Sequence, residues 1–262
     1  MAAPRVLILR APGTNCDRET AHAFAVAGGQ PESMHVRALV ERPEWLRTFQ
    51  ILCIPGGFSY GDDLAAGRVL AVKFRRRLRE FLAEFREAGK LILGICNGFQ
   101  VLIKADLLLA PDARGPLATL TWNASGRYLD RWVRVRVEST TCVFLAGIDR
   151  MELPIAHAEG RFVPRDAAVL EGLRAEGRLA LRYDSESSRS HVNEDVLPFP
   201  DNPNGSIANV AGICDATGRV FGLMPHPERH LDPTHHPRWT REPRGDEGDG
   251  MAVFRNAVRY FA

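Results

Sequence analysis

Residues 90–100 read KLILGICNGFQ: an apolar run, a cysteine set between glycines, and the start of a second apolar segment. Lys90–Ile95 has the texture of a strand buried on both faces, and Phe99–Leu109 that of an apolar helix. Between them, Gly94-Ile95-Cys96-Asn97-Gly98 is the cysteine form of a nucleophile elbow, in which flanking glycines permit a sharp strand-to-helix turn and present the central side chain. A thiol placed there faces the unsatisfied amides and positive dipole end of a helix, which favour the thiolate. Taken alone, the pattern equally describes a small cysteine packed beneath a helix.

Working outward, residues 5–10 (RVLILR) read as a buried strand ending at Pro12-Gly13. A helix follows, with Asp17 and Glu19 in its first turn, Ala21, Phe24 and Ala25 on one face, and Gly28-Gly29 as its stop. Glu32–Leu39 reads as a second strand and Phe49–Ile54 as a third, closed by Pro55-Gly56-Gly57. From Asp63 to about Lys90, Phe74, Leu78, Phe81, Leu82 and Phe85 keep helical spacing. The basic stretch KFRRRLRE (73–80) within it reads as a solvated face, because Glu80, Glu84 and Glu87 allow pairs such as Arg76 with Glu80. Strand and helix in alternation predict an α/β fold with one open, mostly parallel sheet, right-handed crossovers and flanking helices. After residue 115 the alternating segment TLTWNASGRYLDRWVRVRVES (119–139) predicts an antiparallel extension. Ile207–Asp215 and Arg219–Met224 read as a hairpin around Ala-Thr-Gly, and Gly250–Phe261 as a last helix. Residues 1–262 thus read as a single domain with long surface loops about 184–206 and 231–249.

Charge excludes some partners. Lys plus Arg number 34 against 32 for Asp plus Glu, and a net charge of +2 provides no global field for nucleic acid or an anionic membrane. The N-terminal MAAPRVLILRAPG has only the short uninterrupted apolar run VLIL (6–9) before its Pro-Gly break, too short for a signal peptide core or a membrane span, so a cytoplasmic protein is expected. Five scattered cysteines without C-x-x-C argue against a disulfide framework and a thiolate zinc site. His226, His230, His235 and His236, with Asp232, follow no familiar ligand spacing, and no metal is expected there.

A thiolate needs a base, and a base needs an orienter. His226-Pro227-Glu228 offers both at the end of a strand, where Pro225 and Pro227 are expected to keep the chain extended. Residues i and i+2 then point the same way, so Glu228 can hold one ring nitrogen of His226 while the other faces the thiol. His157, followed by Glu159 in HAEGRF (157–162), is the rival base. Gly56 and Gly57 close another strand, and open α/β sheets bind ligands at the carboxyl ends of strands. Their N–H groups, with that of Asn97, form a candidate oxyanion hole. A phosphate loop is disfavoured, since neither GxGxxG nor GxxxxGK[ST] occurs.

Six blocks, PGTNCDRET (12–20), IPGGFSYGDDLAAGR (54–68), LGICNGFQ (93–100), HAEGRF, NPNGS (202–206) and GLMPHPERH (222–230), make the chain similar to class I, triad-type glutamine amidotransferases. Within them it most resembles the glutaminase subunits of phosphoribosylformylglycinamidine synthases, over residues 5 to 261. The resemblance implies the flavodoxin-like fold of that class, Cys96 as nucleophile, His226 as acid/base, Glu228 as its orienter, oxyanion support from Gly57 and a contact of Gln100 with the substrate L-glutamine. It implies no cofactor in this chain: ammonia released through a glutamyl thioester would pass to a large synthetase subunit. That partner would use ATP and Mg²⁺ to turn formylglycinamide ribonucleotide into its amidine, with a small third subunit in some bacteria. Extra sequence around 184–201 and 231–249 looks like the glutaminase end of large fused synthetases. The FSYGDD and PGTNCDRET loops are expected to border the cleft, where a partner could reposition them. Two other classes remain for comparison: a cysteine hydrolase or peptidase of the related PfpI type, which leaves FSYGDD and Gln100 unexplained, and a binding subunit that keeps only the fold.

Overall fold

Strands with apolar residues on both faces need cover on both, and the first half of the chain supplies it by alternating them with helices. The structure, a computed structural model, describes residues 3–185, 196–241 and 245–262. It begins with strand β1 (Arg5–Arg10), helix α1 (Asp17–Val26), strand β2 (Gln30–His35) and helix α2 (Val36–Glu41). The second strand therefore lies earlier than Glu32–Leu39, because His35 accepts from the Arg37 amide (3.2 Å) and starts a helix at Val36. Next come β3 (Ile51–Ile54), α3 (Arg68–Lys73), α4 (Arg79–Glu87), β4 (Leu91–Ile95) and α5 (Asn97–Lys104). Every residue of β3 and β4 is buried, as expected at the centre of a parallel sheet.

The helix expected from Asp63 begins only at Arg68, and a π-helical turn over Phe74–Leu78 joins α3 to α4. Four-residue spacing drifts by about 40° per step on a regular α-helix, and the wider turn keeps Leu70, Phe74, Leu78 and Leu82 all buried. Arg75, Arg76 and Arg77 face solvent, with Arg75 Nη1 3.5 Å from Asp106 Oδ2. The apolar helix expected over Phe99–Leu109 is shorter: it starts at the elbow and stops at Lys104, ahead of Asp106 with its φ of 61°.

The second half contributes β5 (Ala118–Trp122), β6 (Leu129–Val137), β7 (Arg150–His157), β8 (Glu159–Pro164), α6 (Ala167–Ala175), β9 (Leu181–Asp184), β10 (Val210–Cys214), β11 (Val220–Leu223) and α7 (Met251–Arg259). Nine strands form one sheet in the order β2-β1-β3-β4-β11-β10-β9-β6-β7, in which β10 and β6 run against the other seven. The pair β5-β8 forms a separate antiparallel ribbon. The hairpin β10-β11 turns at Asp215, whose carboxylate accepts from the amides of Arg219 (3.1 Å) and Val220 (3.0 Å). Its first strand starts at Val210, because residues 207–209 form a 3₁₀ turn.

Two loop expectations need correction. Residues 186–195 and 242–244 lie outside the described residues. Of the rest of 184–206, Asn202, Asn204 and Ser206 are buried rather than on the surface. Their polar groups satisfy backbone that no ladder reaches: Asn204 Nδ2 donates to Gly160 O (2.8 Å), and Ser206 Oγ accepts from Phe162 N (3.0 Å). In 231–249, His236 is buried, with its ring 4.5 Å from that of Trp132. Among the described residues no helix is long and apolar enough to cross a membrane.

What positions the site is the run β1-β3-β4-β11. These strands are neighbours and parallel, with Ile54 level with Gly94 and Leu223 level with Ile95, so the loops that leave their carboxyl ends meet in one row.

Candidate active site

Cys96 occupies the turn between β4 and α5 with φ 51° and ψ −104°, a conformation that L-residues adopt only under constraint. The constraint is visible: Cys96 N donates to Leu223 O (2.8 Å), and Gln100 N donates to Cys96 O (3.2 Å). Gly98 lets the helix sit this close, since a Cβ there would lie 1.9 Å from the Ile54 carbonyl oxygen. The sequence reading of a nucleophile elbow thus has its geometry.

His226 follows β11 and is fixed through its own amide, which donates to Pro154 O (2.8 Å). Its Nδ1 is 2.6 Å from Glu228 Oε1, and both side chains are almost fully buried. The route differs from the extended segment expected: Pro227 opens a 3₁₀ turn over Pro227–Arg229, which swings Glu228 back onto the ring. Burial disfavours the imidazolium, but Glu228 and then Cys96 favour it more strongly, so His226 holds its proton well above the ordinary histidine range. Its Nε2 is buried and has no hydrogen-bond partner among the described residues, which leaves that nitrogen for the thiol.

His157 is held otherwise. Its Nδ1 lies 3.0 Å from Asn123 Oδ1, and burial, then His226, lower its pKa to about 3. Glu159 is not its orienter; that carboxylate accepts from the Ala66 amide at 3.3 Å. Asn123 is thus the partner that sequence spacing did not reveal.

The remaining candidates divide. Gly56 packs against the imidazole, and a Cβ there would lie 2.8 Å from His226 Cε1. Gly57 pairs with Thr14 in an isolated antiparallel bridge, so the two loops expected at the cleft touch. Asn97, the first residue of α5, donates through Nδ2 to Asp62 Oδ1 (3.0 Å) and Gln100 Oε1 (3.0 Å) and accepts at Oδ1 from Ser59 N (3.2 Å). Gln100 donates to the Glu159 carbonyl, so both ends of its amide are engaged inside the protein. Each end keeps capacity for one more bond, since the amide has two N–H donors and two acceptor lone pairs.

Cys16 is the residue whose place was not legible. It precedes α1, is 1% exposed and lies with Sγ 3.9 Å from His226 Nδ1. Arg229 Nη2 donates to its sulfur at 3.1 Å. Burial pushes the thiol up in pKa, with the hydrogen bond to His226 pulling the other way. The PGTNCDRET block pointed to this loop, but nothing in it indicates a contact 210 residues away.

A family model described as a CobB/CobQ-like glutamine amidotransferase domain matches residues 3–261. Phosphoribosylformylglycinamidine synthase subunit PurQ of Dehalococcoides mccartyi is 46% identical over 261 residues, covering 99% of this chain and 98% of that one. The protein of the same name from Methanococcus maripaludis is 40% identical over 271 residues, covering 98% and 97%. A chain of the solved structure of PurLQS from Thermotoga maritima superposes with a TM-score of 0.74 at 32% identity, covering 99% of this chain and all of that one.

Proposed function

The chain belongs to the CobB/CobQ-like glutamine amidotransferase family, and from that premise we propose that Cys96, His226 and Glu228 are its nucleophile, acid/base and orienter. It is a glutamine amidotransferase, the glutaminase subunit of phosphoribosylformylglycinamidine synthase in purine biosynthesis. The observation that carries the residue assignment is the pairing of a cysteine forced to φ 51° at a helix N-terminus with a buried histidine pinned by a carboxylate at 2.6 Å.

In this reading His226 Nε2 takes the Cys96 thiol proton and the sulfur attacks the side-chain carbonyl of L-glutamine. The N–H groups of Gly57 and Asn97 receive the oxyanion, the latter at the positive end of α5. His226 returns the proton to the departing nitrogen, ammonia leaves, and a glutamyl thioester remains. Water, deprotonated by the same imidazole, attacks the thioester carbon and releases glutamate and the thiol. Glu228 keeps the Nδ1 proton in place throughout, so that Nε2 is the nitrogen that exchanges protons. Gly56 gives the ring its room, and Gln100 ties the elbow helix to the strand that carries Glu159. The ammonia is consumed by a large synthetase subunit with ATP and Mg²⁺, in a cytoplasmic complex that includes the small third subunit where one is made.

The test is Cys96→Ala in the assembled enzyme. Glutamine-dependent amidation is lost and ammonia-dependent amidation stays, because only hydrolysis needs the sulfur. A glutamine-mimicking electrophile labels Cys96 alone. Equal loss of both activities, or labelling at Cys16, overturns the assignment.

A further inference from the structure

Residues 16, 226 and 228 come from opposite ends of the chain, yet the fold packs their side chains into one buried cluster, 1%, 1% and 2% exposed. The Cys16 sulfur is 3.9 Å from His226 Nδ1, Nδ1 is 2.6 Å from Glu228 Oε1, and one donor atom of each lies within 4.8 Å of the other two. Glu228 Oε2 is buried and has no hydrogen-bond partner among the described residues. A thiolate, an imidazole nitrogen and a carboxylate are a zinc donor set with a fourth position open. Ligands about 2.0–2.3 Å from such an ion stand about 3.3–3.8 Å from one another. The sulfur and Nδ1 already meet that spacing closely, and the carboxylate needs to retreat by less than about 1 Å once an ion replaces the proton it shares with Nδ1.

We propose that Cys16, His226 Nδ1 and Glu228 bind a thiophilic divalent cation of the zinc class, and that its binding turns the glutaminase site off. The ion takes the Nδ1 lone pair and the Cys16 sulfur, and the thiol proton goes to solvent. The ring keeps one proton, on Nε2; where the imidazolium is the resident form, its second proton also leaves. Nothing is oxidised or reduced. Nε2 then carries a proton and has no lone pair with which to accept the one on Cys96. Arg229 must leave the sulfur, and Glu19, with Oε1 3.9 Å from Arg229 Nε, stands ready to receive it. Arg229 makes the ion a competitor rather than a permanent resident. The effect on turnover rests on the catalytic reading above; the binding does not.

Two measurements on the full chain test this. Cobalt(II) is titrated into Cys96→Ala, which retains all three ligands; a saturating thiolate-to-cobalt absorption band is expected, bleached by one equivalent of zinc and absent from the Cys96→Ala/Cys16→Ser double variant. Glutamate release by the Cys96-containing chain in complex with its synthetase subunit is then followed against zinc. Half-inhibition of Cys16→Ser, measured against its own uninhibited rate, is expected to need about 10-fold more zinc or beyond, since loss of even an outer partner of a metal site costs about 10–100-fold. No band in Cys96→Ala, a band that survives in the double variant, or equal zinc sensitivity overturns the proposal, the last by placing the ion on Cys96. The cobalt measurement needs no turnover, so a chain that binds the ion but releases no glutamate even in complex with its synthetase subunit would refute the catalytic reading and leave the site standing.

Discussion

Gly56→Ala presses first on the imidazole of His226 and next on the Cys16 sulfur. The added Cβ would lie 2.8 Å from His226 Cε1, 3.1 Å from Cys16 Sγ and 3.4 Å from His226 Nδ1. Carbon atoms at rest are about 3.5–4.0 Å apart, so the ring must retreat by about 1 Å. It cannot do so freely: Glu228 holds Nδ1 at 2.6 Å, and the backbone is tied to Pro154 O at 2.8 Å. An error of about 1 Å in a reacting group costs about 10²-fold in rate. The substitution leaves the amide in place, and Gly56 is not among the residues with left-handed φ, so neither backbone strain nor a lost N–H competes as an explanation. The assay compares glutamine-dependent and ammonia-dependent amidation by the assembled enzyme. Glutamine-dependent kcat falls about 10²-fold while the ammonia-dependent rate stays. An unchanged glutamine-dependent kcat refutes the argument that the ring's place matters, and a parallel loss of both rates refutes its confinement to hydrolysis.

Three further outcomes follow from the same geometry. His226→Ala costs glutaminase kcat about two orders of magnitude more than Glu228→Gln, because the orienter never touches substrate; a larger loss in His157→Ala would move the base. His157, neutral when folded down to about pH 3, takes up a proton below about 6.5 only when unfolded, so its share of stability falls as pH drops. His226, raised instead, loses its share as pH rises above about 6.5, so denaturant titrations at pH 6.5 and 5 read His157 alone of the two; His157→Gln should spare about 2 kcal/mol of the loss on acidification, and identical pH slopes would contradict its buried neutrality. The isolated chain should hydrolyse glutamine slowly and gain rate with its synthetase subunit, measured as kcat alone, in complex, and in complex with nucleotide substrates; full activity alone would sink that expectation.

Sequence carried the parallel core because periodicity reports which faces a strand or helix buries, and β1, β3 and β4 are buried on both. It also singled out Cys96, His226 and Glu228 as candidates, since an elbow and a His-x-Glu pair are local patterns. Helix ends were less legible: the start of α2 at Val36 depends on one side-chain cap, and the π turn at Phe74–Leu78 on packing that no spacing rule counts. Asn123 and Cys16 were out of reach for a different reason. Their partners, His157 and His226, are 34 and 210 residues away; the β5-β8 pairing brings the first pair together and the order of the large sheet the second.

The same sheet order sets a loop against the elbow. β3 and β4 are hydrogen-bonded neighbours, so the FSYGDD segment that follows β3 has to pass over the start of α5. It does so through Tyr60, Gly61 and Asp62, three consecutive residues with φ of 57°, 70° and 53°. Two of the three are not glycine, and each costs about 1 kcal/mol or more, so the bend persists only because something holds it. The holding groups are those of the elbow: Asn97 Nδ2 donates to Asp62 Oδ1 and Asn97 Oδ1 accepts from Ser59 N, while the Thr14–Gly57 bridge fixes the other end. The Asp62 carboxyl is raised in pKa, with burial the dominant cause and its bonds from Gly67 and Asn97 opposing it. The loop that carries the exposed Phe58 and Leu64 side chains is therefore bonded to Asn97, the residue that follows the nucleophile.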